Sequence, residues 1–325
     1  MRVLFIGGSG NISTACSRLA AQRGFDLVHF NRGQRRVELP AGVRTVRGDV
    51  DDRRAMALAL AGQAFDVVVD WIAFDPAQAA ADVEMFAGQV KQYVFISTAT
   101  VYQKPPRHYV VTEDTPLGNP FWEYSQKKIA AEQLLLEAHR RHGFPLTIVR
   151  PSFTYGDTWI PTALGVDFTP VHRVRQGLPL VVHGDGTSLW VMTHASDFAK
   201  GLVGLLGRAD AIGEAFHITS DEVLTWNQIY QCIAEGAGAP AKMVHVPSEF
   251  VASVNPALGA GLLGDKAHSL VFDNAKIKHL VPEFRCTVPF AQGVRQSIAW
   301  LDAHPEEQVL ERNAALEQIL GAWYR

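Results

Sequence analysis

Short runs of β-branched and aliphatic residues punctuate the first half of the chain, separated by stretches whose apolar positions recur at helical spacing. The runs fall at 2–6, 26–30, 43–47, 66–70, 93–97 and 146–149, and helices are expected at 12–23, 52–61, 78–88 and 121–141. Such alternation is the pattern of a parallel sheet wrapped by helices, so the chain is expected to be an α/β protein with a Rossmann-type doubly wound parallel sheet. From about residue 152 onward, loops, short strands and helices follow without repeats or low-complexity tracts. That contrast predicts a dinucleotide-binding domain over 1–152, rejoined at about 187–218, and a smaller, irregular substrate domain over 153–186 and 219–325.

Composition narrows the class. The 325 residues supply ample core for this architecture. With 47% hydrophobic residues, 19% charged residues and a net charge of −3, the chain reads as an ordinary globular protein without a basic stripe for nucleic acid. Cys16, Cys232 and Cys286 are scattered without C-x-x-C spacing, which argues against a disulfide framework or a cysteine zinc site and fits a reducing cytoplasm. The first apolar run, 3–6, is too short for a signal segment or a membrane span, and no later stretch reaches membrane length without a charge. No metal, no membrane and no nucleic-acid partner is expected.

Candidate chemistry begins at Gly7-Gly8-Ser9-Gly10-Asn11-Ile12-Ser13, between the first strand and the first helix. Gly7 and Gly10 allow a tight turn and close backbone approach to a pyrophosphate resting on the helix N-terminus, with Ser9, Asn11 and Ile12 in the same cradle. Its spacing is G-x-x-G-x-x-S, with Ser13 where a small residue lets the helix pack on the sheet. After the second strand stand Asn31 and Arg32, with Arg35 and Arg36 close behind. A basic residue there accommodates the extra phosphate of NADP, where a carboxylate would hold the ribose of NAD, so NADP is favoured and NAD is the alternative. Asp49 and Val50 follow the third strand, where adenine is expected; an Asp at that point also serves as a helix cap.

Tyr124 and Lys128 stand four residues apart in a segment of helical pattern, so they share a face. An ammonium beside a phenol favours the phenolate, which predicts a lowered tyrosine pKa and a proton-transfer role.

These pieces together resemble the extended branch of the short-chain dehydrogenase/reductase superfamily, the nucleotide-sugar epimerases, dehydratases and reductases. The resemblance spans nearly the whole chain. It is carried by Gly7 to Gly10, by Phe95-Ile96-Ser97-Thr98-Ala99-Thr100-Val101-Tyr102, by Tyr124 through Glu132 as Y-x-x-x-K-x-x-x-E, and by Arg150-Pro151-Ser152-Phe153-Thr154-Tyr155-Gly156. Gly184 to Thr187, His194 with Asp197, Phe272 to Lys276 and Gly293 to Trp300 continue it. Asn31-Arg32-Gly33 looks more like atypical relatives, among them the chloroplast stem-loop-binding proteins.

By that resemblance Tyr124 is the expected acid/base, Lys128 the holder of the nicotinamide ribose, and Thr98, with Ser97 as its nearest substitute, the partner of the substrate oxygen. Pro151 and Ser152 are expected to flank the nicotinamide. The implied reaction moves hydride between a carbinol carbon and the nicotinamide while Tyr124 exchanges the hydroxyl proton; if the ketone presents its other face, the same steps give an epimerase. Dehydratases of the family carry an Asp-Glu pair where this chain has Ala99 and Thr100, which argues against loss of water. UDP-sugar epimerases carry an asparagine at Phe153 and a diphosphate-binding arginine at Trp190, which argues for a less anionic, still sugar-like substrate.

Trp71, Phe74, Tyr102, Phe153 and Trp190 are expected at the substrate pocket, with Lys104, His108, Trp122, Trp159, His183 and His194 as further residues near strand ends. The resemblance also implies a homodimer through the helices at 78–88 and 121–141. An alternative reading from a different class is a catalytically silent Rossmann protein that binds RNA or a regulatory partner. Tyr124, Lys128 and Thr98, all present, and the net charge of −3 weigh against it.

Overall fold

The computed structural model describes residues 1–35 and 37–325; Arg36, one of the arginines expected at the NADP phosphate, lies outside the described residues. The strands are β1 (Arg2–Ile6), β2 (Asp26–Asn31), β3 (Arg44–Arg47), β4 (Val67–Asp70), β5 (Gln92–Ile96), β6 (Val110–Val111), β7 (Leu146–Arg150) and β8 (Phe153–Tyr155). They continue with β9 (Pro179–His183), β10 (Leu189–Trp190), β11 (Met192–His194), β12 (Ala215–His217), β13 (Leu224–Thr225), β14 (Lys242–Val246) and β15 (Val271–Phe272). Seven of them form one parallel sheet in the order β12-β7-β5-β4-β1-β2-β3.

The helices of this layer are α1 (Asn11–Gln22), α2 (Arg53–Leu60), α3 (Pro76–Phe86) and α4 (Glu123–His142); α5 (Thr169–Arg175) precedes α6 (Ala195–Leu205). Successive strand residues point to opposite faces, and both faces are covered, so the strands read as continuous apolar runs. Val3 and Phe5 of β1 pack with Cys16, Ala20, Phe198 and Leu202 of α1 and α6. Leu4 and Ile6 pack on the other face with Met56, Phe86, Ala131 and Leu135 of α2, α3 and α4. Strand order runs outward from β1 in both directions, which opens a crevice at the carboxyl ends of β1 and β4, where the Gly7 to Gly10 loop lies.

Local chemistry sets the boundaries. α3 starts at Pro76, two residues before the sequence pattern predicts, because the Asp75 carboxylate caps it by accepting from Gln78 N at 2.9 Å. α4 runs to His142, where Gly143 adopts φ +68 and closes the helix. β12, three residues long, has too short an apolar run to read as a strand, yet it completes the sheet beside β7.

The rest of the chain holds a separate core around Tyr155, Trp190, Trp226 and Tyr230. Among the described residues its strands associate in pairs: β8 with β11, β9 with β14, β10 with β13 and β6 with β15. The β6/β15 pair ties the loop after β5 to the segment before residue 272.

Candidate active site

The loop after β1 is built to exclude side chains. Gly7 has φ +87, and a Cβ there would fall 2.7 Å from Ile72 Cγ2; a Cβ on Gly8 would fall 2.6 Å from the His29 ring. Gly10 caps α1, its N–H donating to Ser13 Oγ at 2.7 Å while that hydroxyl donates to the Gly7 carbonyl oxygen at 3.0 Å. Ser9, Asn11 and Ile12 are half-buried in the cradle. Behind it His29 is pushed down to about 4 by burial, so it is neutral at physiological pH, with Ser17 Oγ 2.9 Å from its Nε2. Asn11 Nδ2 is buried with no hydrogen-bond partner among the described residues, a donor left over beside the loop.

At the end of β2, Asn31 Oδ1 accepts from Gly33 N at 2.9 Å and turns the chain, leaving Arg32 and Arg35 exposed. Parallel register sets Asn31 opposite Arg47 of β3, and a Cβ on Gly33 would meet Arg47 Nε at 3.1 Å. Arg47 therefore lies against the same turn. Sequence reading passed it over; the available signal was a second cation at a neighbouring strand end. Asp49 is exposed and accepts from Asp51 N at 3.1 Å, whereas Asp52 caps α2; Val50 packs against the core.

Tyr124 sits in the first turn of α4 and Lys128 one turn on. The Lys128 ammonium is almost fully buried, donates to the Ala73 and Ile96 carbonyl oxygens at 2.8 Å each, and lies 4.8 Å and 4.7 Å from the Phe74 and Phe95 ring centroids. Two of its three N–H donors are thus fixed, and burial pulls its pKa down to about 8 against the charges of Asp70 and Glu132. For Tyr124 the expected depression by Lys128 is corrected: burial pushes the phenol up to about 12, with a hydrogen bond from Thr98 pulling the other way and Asp265 adding to the rise. The ammonium is anchored on backbone carbonyls, so desolvation of the phenol dominates. Thr98 Oγ1 also meets the Thr100 hydroxyl at 3.3 Å, and Ser125 Oγ donates to Thr100 Oγ1 at 2.7 Å, a hydroxyl chain that orients Thr98.

Ser97 points the other way. It donates to Glu132 Oε1 at 2.5 Å, and Glu132 takes a two-pronged contact from Arg150, Nε to Oε1 at 3.0 Å and Nη2 to Oε2 at 2.7 Å. Arg150 Nη1 reaches the Tyr102 hydroxyl at 3.0 Å, which is also hydrogen-bonded to His217. Tyr102, expected at the substrate, is corrected: its side chain is interior and its hydroxyl is consumed by this network. Trp190 is corrected likewise, since it is 2% exposed with its ring 5.5 Å from that of Trp226 in the second core.

Other expected residues come together around Tyr124. The Phe74 ring is exposed, 6.3 Å from the Tyr124 ring, and the Trp122 ring is 5.1 Å away. Phe153 is half-buried, its ring 5.5 Å from Lys266 Nζ. Trp71 packs on Phe5 and Phe198 at 5.6 Å and 6.4 Å, farther back in the crevice. Pro151 is buried, its carbonyl oxygen accepting from Ala99 N at 2.8 Å, and the Ser152 hydroxyl lies 3.4 Å from that of Thr193. His183 and His194 have structural partners, the Lys266 carbonyl oxygen at 2.9 Å and Ser196 Oγ at 2.7 Å. Asp265 and Lys266 were missed, because only the β6/β15 pairing and the turn before it carry them to the site.

A Rossmann sheet with a glycine-rich loop at its switch point, and a tyrosine, lysine and hydroxyl gathered at the crevice, defines a dinucleotide-binding class. A sequence model described as the NAD dependent epimerase/dehydratase family matches residues 3–219. The chain belongs to that family, within the extended branch of the short-chain dehydrogenases/reductases. A 2'-dehydrokanamycin reductase of Streptomyces kanamyceticus is 29% identical over 287 residues, covering 88% of this chain and 80% of the relative. A chloroplast stem-loop binding protein of 41 kDa from Arabidopsis thaliana is 25% identical, covering 77% and 67%. Among solved structures, the dTDP-glucose 4,6-dehydratase DesIV of Streptomyces venezuelae, with NAD and TYD bound, aligns with TM-score 0.76 at 21% identity, covering 94% of this chain and 98% of that one. Among the described residues no helix is long and apolar enough to cross a membrane.

Proposed function

We propose that this protein is a nicotinamide-dependent oxidoreductase that acts on a keto or hydroxyl group of a sugar-like small molecule, reduction being the favoured direction, with Tyr124 as the acid/base. The observation that carries the reading is Tyr124 itself: a phenol protonated at neutral pH, close enough to Thr98 for that hydroxyl to favour the phenolate, one helical turn from an ammonium with one donor uncommitted among the described residues. A protonated phenol is poised to give a proton to an oxygen gaining negative charge, which is the demand of carbonyl reduction. Thr98 holds that oxygen by a second hydrogen bond, while Lys128, anchored on two backbone carbonyl oxygens, serves to position the nicotinamide ribose.

The residues present fit a dinucleotide. Gly7 and Gly8 let the loop pack closely on Ile72 and His29, which holds its backbone at the end of β1, Asn11 Nδ2 is an orphaned donor among the described residues, and the N–H of Lys128 left over there suits a ribose hydroxyl. Ser9, Gly10 and Ile12 would line the pyrophosphate, Asp49 and Val50 the adenine, and Pro151 and Ser152 the nicotinamide. Asn31, Arg32, Arg35 and Arg47 would take the phosphate that distinguishes NADP, which is favoured over NAD. When bound, the nicotinamide supplies or accepts the hydride.

The sugar-like substrate is supported by a relative that reduces a dehydrokanamycin and by relatives named as dTDP-glucose 4,6-dehydratases. Loss of water is disfavoured, since Thr100 is tied to Ser125 where dehydratases carry a carboxylate. The similarity to a stem-loop binding protein supports the RNA reading; the tyrosine, lysine and threonine and the absence of net positive charge favour the enzyme.

The test is NADPH consumption with keto-sugars, followed by nicotinamide absorbance. Wild-type protein is expected to turn over, and Tyr124→Phe to lose turnover while binding NADPH as before. Retained turnover in the variant removes Tyr124 from the mechanism, and failure to bind either NADPH or NADH removes the oxidoreductase.

A further inference from the structure

We propose that Lys104 and Lys266 form an oxyanion subsite beside Tyr124, which binds a carboxylate or phosphate carried by the substrate. The inference rests on the reading of Tyr124 as the reacting centre.

Lys104 is 3% exposed, and its ammonium has a single hydrogen bond among the described residues, a 3.5 Å contact to the Tyr102 carbonyl oxygen. An ammonium carries three donors, and a buried cation with so few acceptors is costly unless something supplies them. Its own backbone is held in place, N–H to the Gly118 carbonyl oxygen at 2.8 Å, so the side chain cannot retreat with the loop. Burial lowers its pKa, a cost that an anion would offset.

Lys266 arrives from the substrate domain. Its Nζ stands 5.1 Å from the Trp122 ring centroid and 5.5 Å from that of Phe153, with Asp265 Oδ2 at 3.2 Å. Trp122 in turn is the neighbour of Tyr124, and the Asp265 charge acts on both Tyr124 and Lys104. Lys104 and Lys266 both face the Asp265 charge, with the His268 imidazole, its pKa lowered by burial, and the Glu249 carboxylate completing the cluster.

The segment is fastened to the catalytic loop. Asn119 Nδ2 donates to the Thr100 carbonyl oxygen at 2.8 Å and to the Gly264 carbonyl oxygen at 2.6 Å. Residues Leu262–Lys266 form a π-helical turn, a geometry that recurs at functional sites. By resemblance the UDP-sugar epimerases of the family carry an asparagine at the position of Phe153 and a diphosphate-binding arginine at that of Trp190. Here Phe153 instead backs Lys266, and the cations come from two other elements.

The decisive experiment titrates NADPH-saturated protein with inorganic pyrophosphate and, separately, with D-glucuronate, following heat and tryptophan fluorescence. Saturation keeps the Gly7 to Gly10 loop and the arginine turn occupied. At least one oxyanion is expected to bind wild type, with about ten-fold or greater loss in Lys104→Met and in Lys266→Met and no loss in Tyr124→Phe. Binding of glucuronate alone identifies a carboxylate subsite, and binding of pyrophosphate alone a phosphate subsite. The proposal is overturned if neither binds wild type, or if both lysine variants bind as wild type does. NADPH affinity, read by its own fluorescence, reports whether each variant is folded. Should Lys104→Met fail to fold, Lys266→Met at its more exposed position decides alone. If wild type holds no NADPH, the oxidoreductase reading fails by itself, and the same titrations on the nucleotide-free protein still decide the subsite.

Discussion

Replacing Lys128 with Met should change how stability depends on pH, by an amount that follows from where the ammonium sits. The side chain is 1% exposed, bonded to two carbonyl oxygens and flanked by two aromatic rings. Burial lowers its pKa from 10.5 to about 8. At about 1.4 kcal/mol per pKa unit, that shift corresponds to about 3 kcal/mol. The folded protein releases this proton more readily than the unfolded chain does. Below about pH 8 both states hold the proton; between about pH 8 and pH 10.5 the unfolded chain holds it and the folded protein does not. Stability from this group therefore rises with pH across that window. Methionine has no proton to lose. The stability of wild type relative to Lys128→Met should increase by roughly 1.4 kcal/mol per pH unit from about pH 8, reaching about 3 kcal/mol. Urea unfolding of both proteins without nucleotide, in steps from about pH 7 to about pH 10, measures it. Groups common to both, including the buried phenols of Tyr93 and Tyr102, cancel in the difference. A difference that stays flat with pH would refute the placement of a titrating ammonium in this pocket.

Three further outcomes separate roles that proximity alone confuses. Thr98→Val should lower kcat by about a hundred-fold, as loss of one donor to a reacting oxygen does, whereas Ser97→Ala should leave kcat unchanged and cost about 2 kcal/mol of stability through Glu132; equal kinetic losses would show that both hydroxyls serve the substrate. Arg47→Ala and Arg32→Ala should each weaken NADPH roughly ten-fold, about 1.4 kcal/mol, without changing NADH affinity, measured by nucleotide fluorescence; matched losses would exclude the phosphate role. Glu132→Gln, which leaves the buried Arg150 guanidinium without its counter-charge, should destabilise the protein by about 3–5 kcal/mol in urea unfolding while the protein that remains folded keeps its NADPH affinity; a neutral result would mean that Arg150 is satisfied elsewhere.

Periodicity and glycine spacing were enough to read the parallel sheet, the loop after β1 and the shared face of Tyr124 and Lys128, because each is a local property of backbone geometry. Helix spacing alone put the phenol and the ammonium on one side of α4. It could not say what each would bond to, and so the sign of the Tyr124 shift came out reversed: desolvation depends on everything packed around the ring. Ser97 and Thr98 are adjacent hydroxyls at the end of one strand, equivalent on paper. Packing beyond the end of β5 sends Ser97 to Glu132 and Thr98 to Thr100, on the side of Tyr124. Tyr102 and Trp190 carried the polar and aromatic signature of a pocket, yet Arg150, His217 and Trp226, distant in sequence, enclose them. Arg47, Asp265 and Lys266 became neighbours of the crevice only through strand register, the Asn119 tether and the β6/β15 pair. The sequence by itself determined the frame and the proton-transfer pair, since both follow from residues within one strand, turn or helix. The charge that surrounds the pair was decided by tertiary structure, because Coulomb interactions and burial depend on distance in space, which segments more than a hundred residues apart set only when they pack.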